Sequence, residues 1–102
     1  MDGILICYKL DKKRFNQVIR NRFRKELLGY TDFSNNGKYK YYRSGLLDNI
    51  PHNKLIRSVL ITKKEQSEII ITLLNKYNAD YFIREVKLTE DDIAKIEQKE
   101  KT

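Results

Sequence analysis

The sequence predicts an α+β fold, a ferredoxin-like sandwich of two similar βαβ-type motifs that share one core, with a short helix added at the C-terminus. Three observations predict it. Strand-type and helix-type patterns follow in the order strand, helix, strand, strand, strand, helix, strand, helix. Two right-handed crossovers in such an order give an antiparallel sheet with both helices on one face. The stretches near 3–10 and 55–61 are apolar on both sides, as the middle strands of a covered sheet must be. Leu10-Asp11-Lys12-Lys13 is matched 51 positions later by Ile61-Thr62-Lys63-Lys64, and Val18-Ile19 by Ile69-Ile70. With 102 residues, 40% of them hydrophobic, the chain can build one modest core, and neither motif can build its own. The expected layout is one domain: motif one at about 3–43, a connector at 44–54, motif two at about 55–88 and a final helix at about 89–100.

The first strand, 3–10, carries Ile4, Ile6, Tyr8 and Leu10 on one side and Leu5 and Cys7 on the other. Asp11 is placed to cap a helix over 12–28, whose apolar positions are Phe15, Val18, Ile19, Phe23 and Leu27. Gly29 suits the stop just past it. Asn36-Gly37 tolerates the positive φ of a type I′ turn, which predicts a hairpin with arms at 30–35 and 38–43. Gly45, Asp48-Asn49 and the single Pro51 mark the connector. A strand at 55–61 follows, then Thr62-Lys63-Lys64-Glu65, the spacing of a capping box. The helix it opens holds Ile69, Ile70, Leu73, Leu74 and Tyr77, and 81–88 is the last strand. Thr89-Glu90-Asp91-Asp92 starts an acid-first, base-last helix that suits the helix dipole and is expected to fray toward Thr102.

Charge is uneven. Residues 1–45 hold 11 Lys/Arg against 4 Asp/Glu, and residues 46–102 hold 10 of each, so the whole net charge of +7 lies in the first part. Such asymmetry points to an anionic partner or to a basic face that only keeps the chain soluble. The apolar run Ile4 to Tyr8 is far too short to span a bilayer, and Lys9 interrupts it before a signal sequence could form. No membrane association is expected, and the expected location is the cytoplasm.

Catalytic chemistry has little to work with. Cys7 lies in an apolar strand, where an inert thiol is the ordinary outcome, and the only histidine, His52, is expected in a solvated loop. The four glycines are too scattered for a phosphate-binding loop. Glu90-Asp91-Asp92 project about 100° apart on a helix and suit capping better than a metal. No cofactor, metal or enzymatic activity is expected.

Two resemblances add to this. Ile6-Cys7-Tyr8-Lys9-Leu10-Asp11-Lys12-Lys13-Arg14 resembles the opening of the small CRISPR-associated ferredoxin-like family, and Ser58-Val59-Leu60-Ile61-Thr62 resembles that family's third strand. The family pattern has an aspartate where this chain has Lys9, so the resemblance does not carry metal-dependent nuclease activity with it. In its lysine-, asparagine-, isoleucine- and tyrosine-rich texture the whole chain is similar to small uncharacterised proteins of archaeal filamentous viruses. That implies an interaction role, in the host cytoplasm.

The sequence thus predicts a non-enzymatic interaction module. Apolar residues on both sides of the central strands leave one sheet face to be covered by a second copy, a peptide or a terminal helix. Ile4, Ile6, Ile56 and Leu60 are the candidate contacts for an extended peptide or a homodimer, at the groove between the halves or on the open face. The alternative is a nucleic-acid-binding protein that uses its basic half through Lys12, Lys13, Arg20, Arg24, Lys38, Tyr39, Lys40 and Tyr41. There, lysines would meet phosphates and tyrosines would stack on bases. The plainer reading of the hairpin is a sheet edge whose tyrosines face the core and whose lysines guard the edge.

Overall fold

The structure, a computed structural model, describes residues 2–100. The expected fraying at Thr102 lies outside the described residues. Six strands are β1 (Asp2–Lys9), β2 (Tyr30–Ser34), β3 (Tyr39–Arg43), β4 (His52–Ile56), β5 (Val59–Lys63) and β6 (Asp80–Lys87). Three helices are α1 (Gln17–Leu28), α2 (Lys64–Lys76) and α3 (Glu90–Glu100), with a turn of 3-10 helix at Leu46–Asn49. Four strands form one antiparallel sheet in the order β4-β5-β1-β6, and β2 and β3 form a separate two-stranded sheet.

The two strands with apolar residues on both sides, β1 and β5, are adjacent in the middle of the sheet. Their register pairs Ile6 with Leu60 and Ile4 with Thr62 on one face. That face meets Phe23 and Leu27 of α1 and Ile70, Leu73 and Leu74 of α2 in a single buried cluster. Tyr8, Phe23 and Tyr77 extend it through two edge-to-face ring contacts, with centroids 5.9 and 5.4 Å apart. Across the other face run two rows, Ile56–Val59–Cys7–Phe82 and Asn53–Ile61–Leu5–Arg84. α3 covers part of it. Asn53 Nδ2 donates to Asp92 Oδ1 at 2.9 Å, Lys63 pairs with Glu100, and Ile61 and Ile96 are buried outside the main cluster.

Several boundaries differ from the sequence expectation, each for a local reason. Asp11 does not cap α1. Its carboxylate accepts from the Lys13 N–H and its carbonyl from Arg14 and Phe15, which closes a lone turn. Asn16 is the cap, its Oδ1 accepting from the Ile19 N–H at 2.9 Å, so the helix starts at 17 rather than 12. The expected strand 55–61 is broken at Arg57-Ser58, where Ser58 has φ 65, and becomes the β4–β5 hairpin. Thr62 is inside β5, fully buried, and its hydroxyl donates to the Pro51 carbonyl. It therefore caps nothing, and Lys63 at the start of α2 makes no side-chain cap bond. At α3 the expected helix capping by the acidic cluster takes the form of a box that the residue pattern did not point to: Asp92 accepts from the Thr89 N–H and Thr89 Oγ1 from the Asp92 N–H.

The hairpin at 30–43 is neither part of motif one's sheet nor a sheet edge with tyrosines turned to the core. The partner of β5 is β4, and every β3 residue is exposed. Two glycines explain the detour. Gly29, with φ 82, and Gly45 touch so closely that a Cβ built on Gly45 would lie 2.2 Å from the Gly29 nitrogen. The chain thus re-enters the body where it left, and the arm between stands outside the core. Tyr42 ties its base, its hydroxyl donating to Asp48 Oδ2 at 2.6 Å and lying 3.2 Å from the Leu28 carbonyl.

Candidate functional site

Where β1 ends, the chain turns through residues 10–13 on one side of a groove of about 780 Å³. α1 forms a second wall and the β4–β5 turn a third, and the Tyr8 N–H donates to the Ser58 carbonyl to tie that turn to β1. The helical repeat puts Arg20 and Arg24 in a column beside the buried column Phe23 and Leu27. Both arginines thus lie on the inner margin of α1, not on its far side. Tyr8, Leu10, Phe23, Leu27 and Leu28 provide apolar surface.

Seven cations line this groove: Lys9, Lys12, Lys13, Arg20, Arg24, Lys54 and Arg57. Asp11 is the single acid among the lining residues, and its carboxylate already accepts from the Lys13 N–H. Among the described residues, none of the seven cations forms an ion pair. Arg20 bonds Gln17 through one terminal nitrogen, while its Nε is out of solvent contact and has no partner. Gathering like charges in a concave, partly apolar space raises the local potential, which an anion entering it would relieve. Burial pushes the Tyr8 phenol above its ordinary range, with the Ser58 side chain and Arg57 pulling back, so it remains a neutral hydroxyl.

A smaller cavity of about 160 Å³ adjoins, sharing Tyr8, Leu28, Lys54 and Ser58 and adding Asp48, His52 and Lys99. His52 is buried in β4 rather than solvated, with Nδ1 2.7 Å from the Ile50 carbonyl. Burial lowers its pKa, so the ring is neutral near pH 7. The Tyr42 hydroxyl holds the Asp48 carboxyl below its usual range. Cys7 lies in the row with Val59 and His52 in the row with Thr62, so the two side chains occupy opposite sheet faces. Asp92 is turned into its cap, leaving Glu90 and Asp91 exposed.

Of the sequence-named residues, Lys12, Lys13, Arg20 and Arg24 come together in the groove. Lys38, Tyr39, Lys40 and Tyr41 do not line it; they are exposed on the β2–β3 arm. Of the proposed protein contacts, Ile4, Ile6 and Leu60 are buried against the helices and present no surface, because their register assigns them to the covered face. Only Ile56 is open, 66% exposed. Sequence reasoning missed Lys9, Lys54 and Arg57. The signal was weak, because Arg57-Ser58 lacks the Gly, Asn or Asp that usually adopts the positive φ Ser58 takes here. No family model, curated protein or solved structure matches this chain. No helix among the described residues is long and apolar enough to cross a membrane.

Proposed function

We propose that this chain is a nucleic-acid-binding protein that holds a phosphate backbone in the groove between α1 and the β4–β5 turn. The observation that carries this reading is the set of seven groove cations without ion-pair partners. Lysine and arginine on three walls can follow a chain of phosphates, whereas one small anion would need only a few of them. The reading reverses the ranking that the sequence favours, since three of the four residues named for protein contact are inside. The sheet order β4-β5-β1-β6, with α1 on one connection and α2 on the other, supports a ferredoxin-like arrangement carrying β2–β3 as an insertion.

Fluorescence anisotropy with labelled oligonucleotides at low and moderate salt tests it. Lys12→Ala and Lys54→Ala, on opposite walls, are each expected to weaken binding, while Arg22→Ala, outside the groove lining, leaves it unchanged. Equal binding by all three variants would reject the groove. Protein contact has one observation in its favour, the partly open row Ile56–Val59–Cys7–Phe82. Sedimentation of the wild type and of Phe82→Ser would show any second copy held there.

A further inference from the structure

We propose that the β2–β3 hairpin is a stacking arm for unpaired bases, so that the ligand of the groove is single-stranded nucleic acid. This rests on the nucleic-acid reading above and adds a second contact to it. Two five-residue strands carry five exposed aromatic rings, Tyr30, Phe33, Tyr39, Tyr41 and Tyr42. An isolated two-stranded ribbon is marginal in water, and exposing rings on it gains nothing for the core. Tyr42 is accounted for, because its hydroxyl anchors the base of the arm to Asp48. The other rings have no such duty.

The ladder pairs Ser34 with Tyr39, Asp32 with Tyr41 and Tyr30 with Arg43, so Tyr39, Tyr41 and Tyr30 share one face of the arm. Phe33 and Lys40 share the other. Tyr39 and Tyr41, on the same face of β3, are two residues apart, roughly 6.8 Å at the usual strand rise. That is about twice the 3.4 Å step between bases along one strand of a duplex, so these rings suit bases drawn apart rather than bases still stacked. Each ring other than Tyr42 has a cation beside it: Lys38 is 5.9 Å from the Tyr39 centroid, Arg43 5.8 Å from Tyr41, Lys25 4.7 Å from Tyr30 and Lys40 5.9 Å from Phe33. A ring for the base with an ammonium or guanidinium for the adjoining phosphate is the combination that binds single strands without reading sequence. The arm's one acid, Asp32, lies 3.5 Å from Arg43, leaving the ammonium groups of Lys38 and Lys40 without an ion pair among the described residues. Charge thus favours an anionic strand over an acidic or apolar peptide lacking bases.

The arm is also held in shape. Asn35, Asn36 and Gly37 have φ of 53, 57 and 82, and the Lys38 N–H donates to the Asn35 carbonyl. These residue types tolerate the left-handed turn, so the rings are presented on a defined ribbon.

The test uses the full chain, a single-stranded and a duplex oligonucleotide, and the double variants Tyr39→Ala/Tyr41→Ala and Tyr39→Phe/Tyr41→Phe. The alanine pair is expected to weaken single-strand binding about tenfold or more, with the salt dependence unchanged and duplex binding unaffected. The phenylalanine pair keeps the rings and is expected to bind like the wild type. Arg20→Ala/Arg24→Ala, with the arm intact, separates the two claims. If it weakens binding while the alanine pair does not, the arm's role is wrong and the groove stands. If the wild type shows no salt-sensitive binding to either oligonucleotide, the groove reading fails as well. A preference for duplex, equal losses in the alanine and phenylalanine pairs, or loss of a dimer in the alanine pair would each overturn the stacking arm.

Discussion

α1 and α2 pack on the same sheet face and differ by one residue in length, 12 against 13, yet they treat their polar side chains in opposite ways. α2 buries Ser67, Ile70, Leu73 and Leu74, and its lysines are neutralised, Lys64 by Glu85 at 2.9 Å and Lys76 by Glu26 at 2.7 Å. α1 buries only Phe23 and Leu27 and leaves Val18 66% exposed. Its Arg20, Arg22, Arg24 and Lys25 have no ion pair among the described residues. One helix gives most of its inner face to the core. The other gives up part of that burial so that its inner margin can line a groove. The difference also appears in the lead-in: α2 follows β5 directly, while residues 10–16, with Lys12 and Lys13, separate β1 from α1. The matched sequence segments therefore do not occupy equivalent places, since Asp11 closes a turn in a loop and Thr62 lies inside a strand.

The sharpest contrast is in stability. Leu74→Ala in α2, at a fully buried position, is expected to cost about 3 kcal/mol. Val18→Ala in α1 is expected to stay within about 0.5 kcal/mol of the wild type. Urea unfolding of the two variants measures both. Comparable losses would mean that α1 contributes to the core as fully as α2.

The caps come next. Asn16→Ala removes the bond to the Ile19 N–H and is expected to cost about 1 kcal/mol. Asp11→Ala, which opens only a lone turn, is expected to cost less. Thermal melts rank the two, and a larger loss at Asp11 would return the helix start to residue 12.

Smaller still is the effect of the groove charges on folding. Arg20→Ala/Arg24→Ala is expected to leave the melting temperature unchanged or slightly raised, because like-charge repulsion is relieved. The matched pair Lys64→Ala/Lys76→Ala in α2 is expected to leave oligonucleotide binding unaltered.

The smallest effect is at the ion pair between α1 and α2, Glu26 with Lys76. Glu26 accepts from Lys76 and from the Tyr77 hydroxyl, which hold its carboxyl below the ordinary glutamate value, the Lys76 bond contributing most. A carboxylate with a depressed folded pKa stabilises above its unfolded value, near 4.3, and that contribution disappears as pH falls through the lower folded value. Glu26→Gln is therefore expected to be less sensitive to acid below about pH 4.3 than the wild type. Parallel pH-dependent melts check this, and identical profiles would remove Glu26 from the account.

Much of the architecture is legible in the sequence because periodicity is a strong signal. The middle strand β1, the apolar stripes Phe23–Leu27 and Ile70–Leu73–Leu74, and the Asn-Gly turn all show in the residue pattern. What is not legible depends on closeness in space. The contact of Gly29 with Gly45 that ejects the hairpin joins residues 16 apart and leaves no trace in either neighbourhood. Which side of a strand faces the helices cannot be read when both sides are apolar, and for that reason the sequence alone puts Ile4, Ile6 and Leu60 at the surface. Four of the seven groove cations, Lys12, Lys13, Arg20 and Arg24, are legible in the sequence because they fall in its basic half. Lys54 and Arg57 are hidden because residues 46–102 sum to zero charge, although acids that help to balance them, such as Glu90, Asp91 and Asp92, lie on α3 rather than in the groove lining.

Groove cations without ion-pair partners among the described residues that meet phosphates, as proposed, must make binding depend on salt. The affinity of a single-stranded oligonucleotide should fall linearly on a log–log plot against salt concentration. Arg20→Ala/Arg24→Ala should flatten the slope by about 1.4, at about 0.7 for each phosphate no longer neutralised on a single strand. A wild-type affinity indifferent to salt, or a double variant with the wild-type slope, would contradict the proposal.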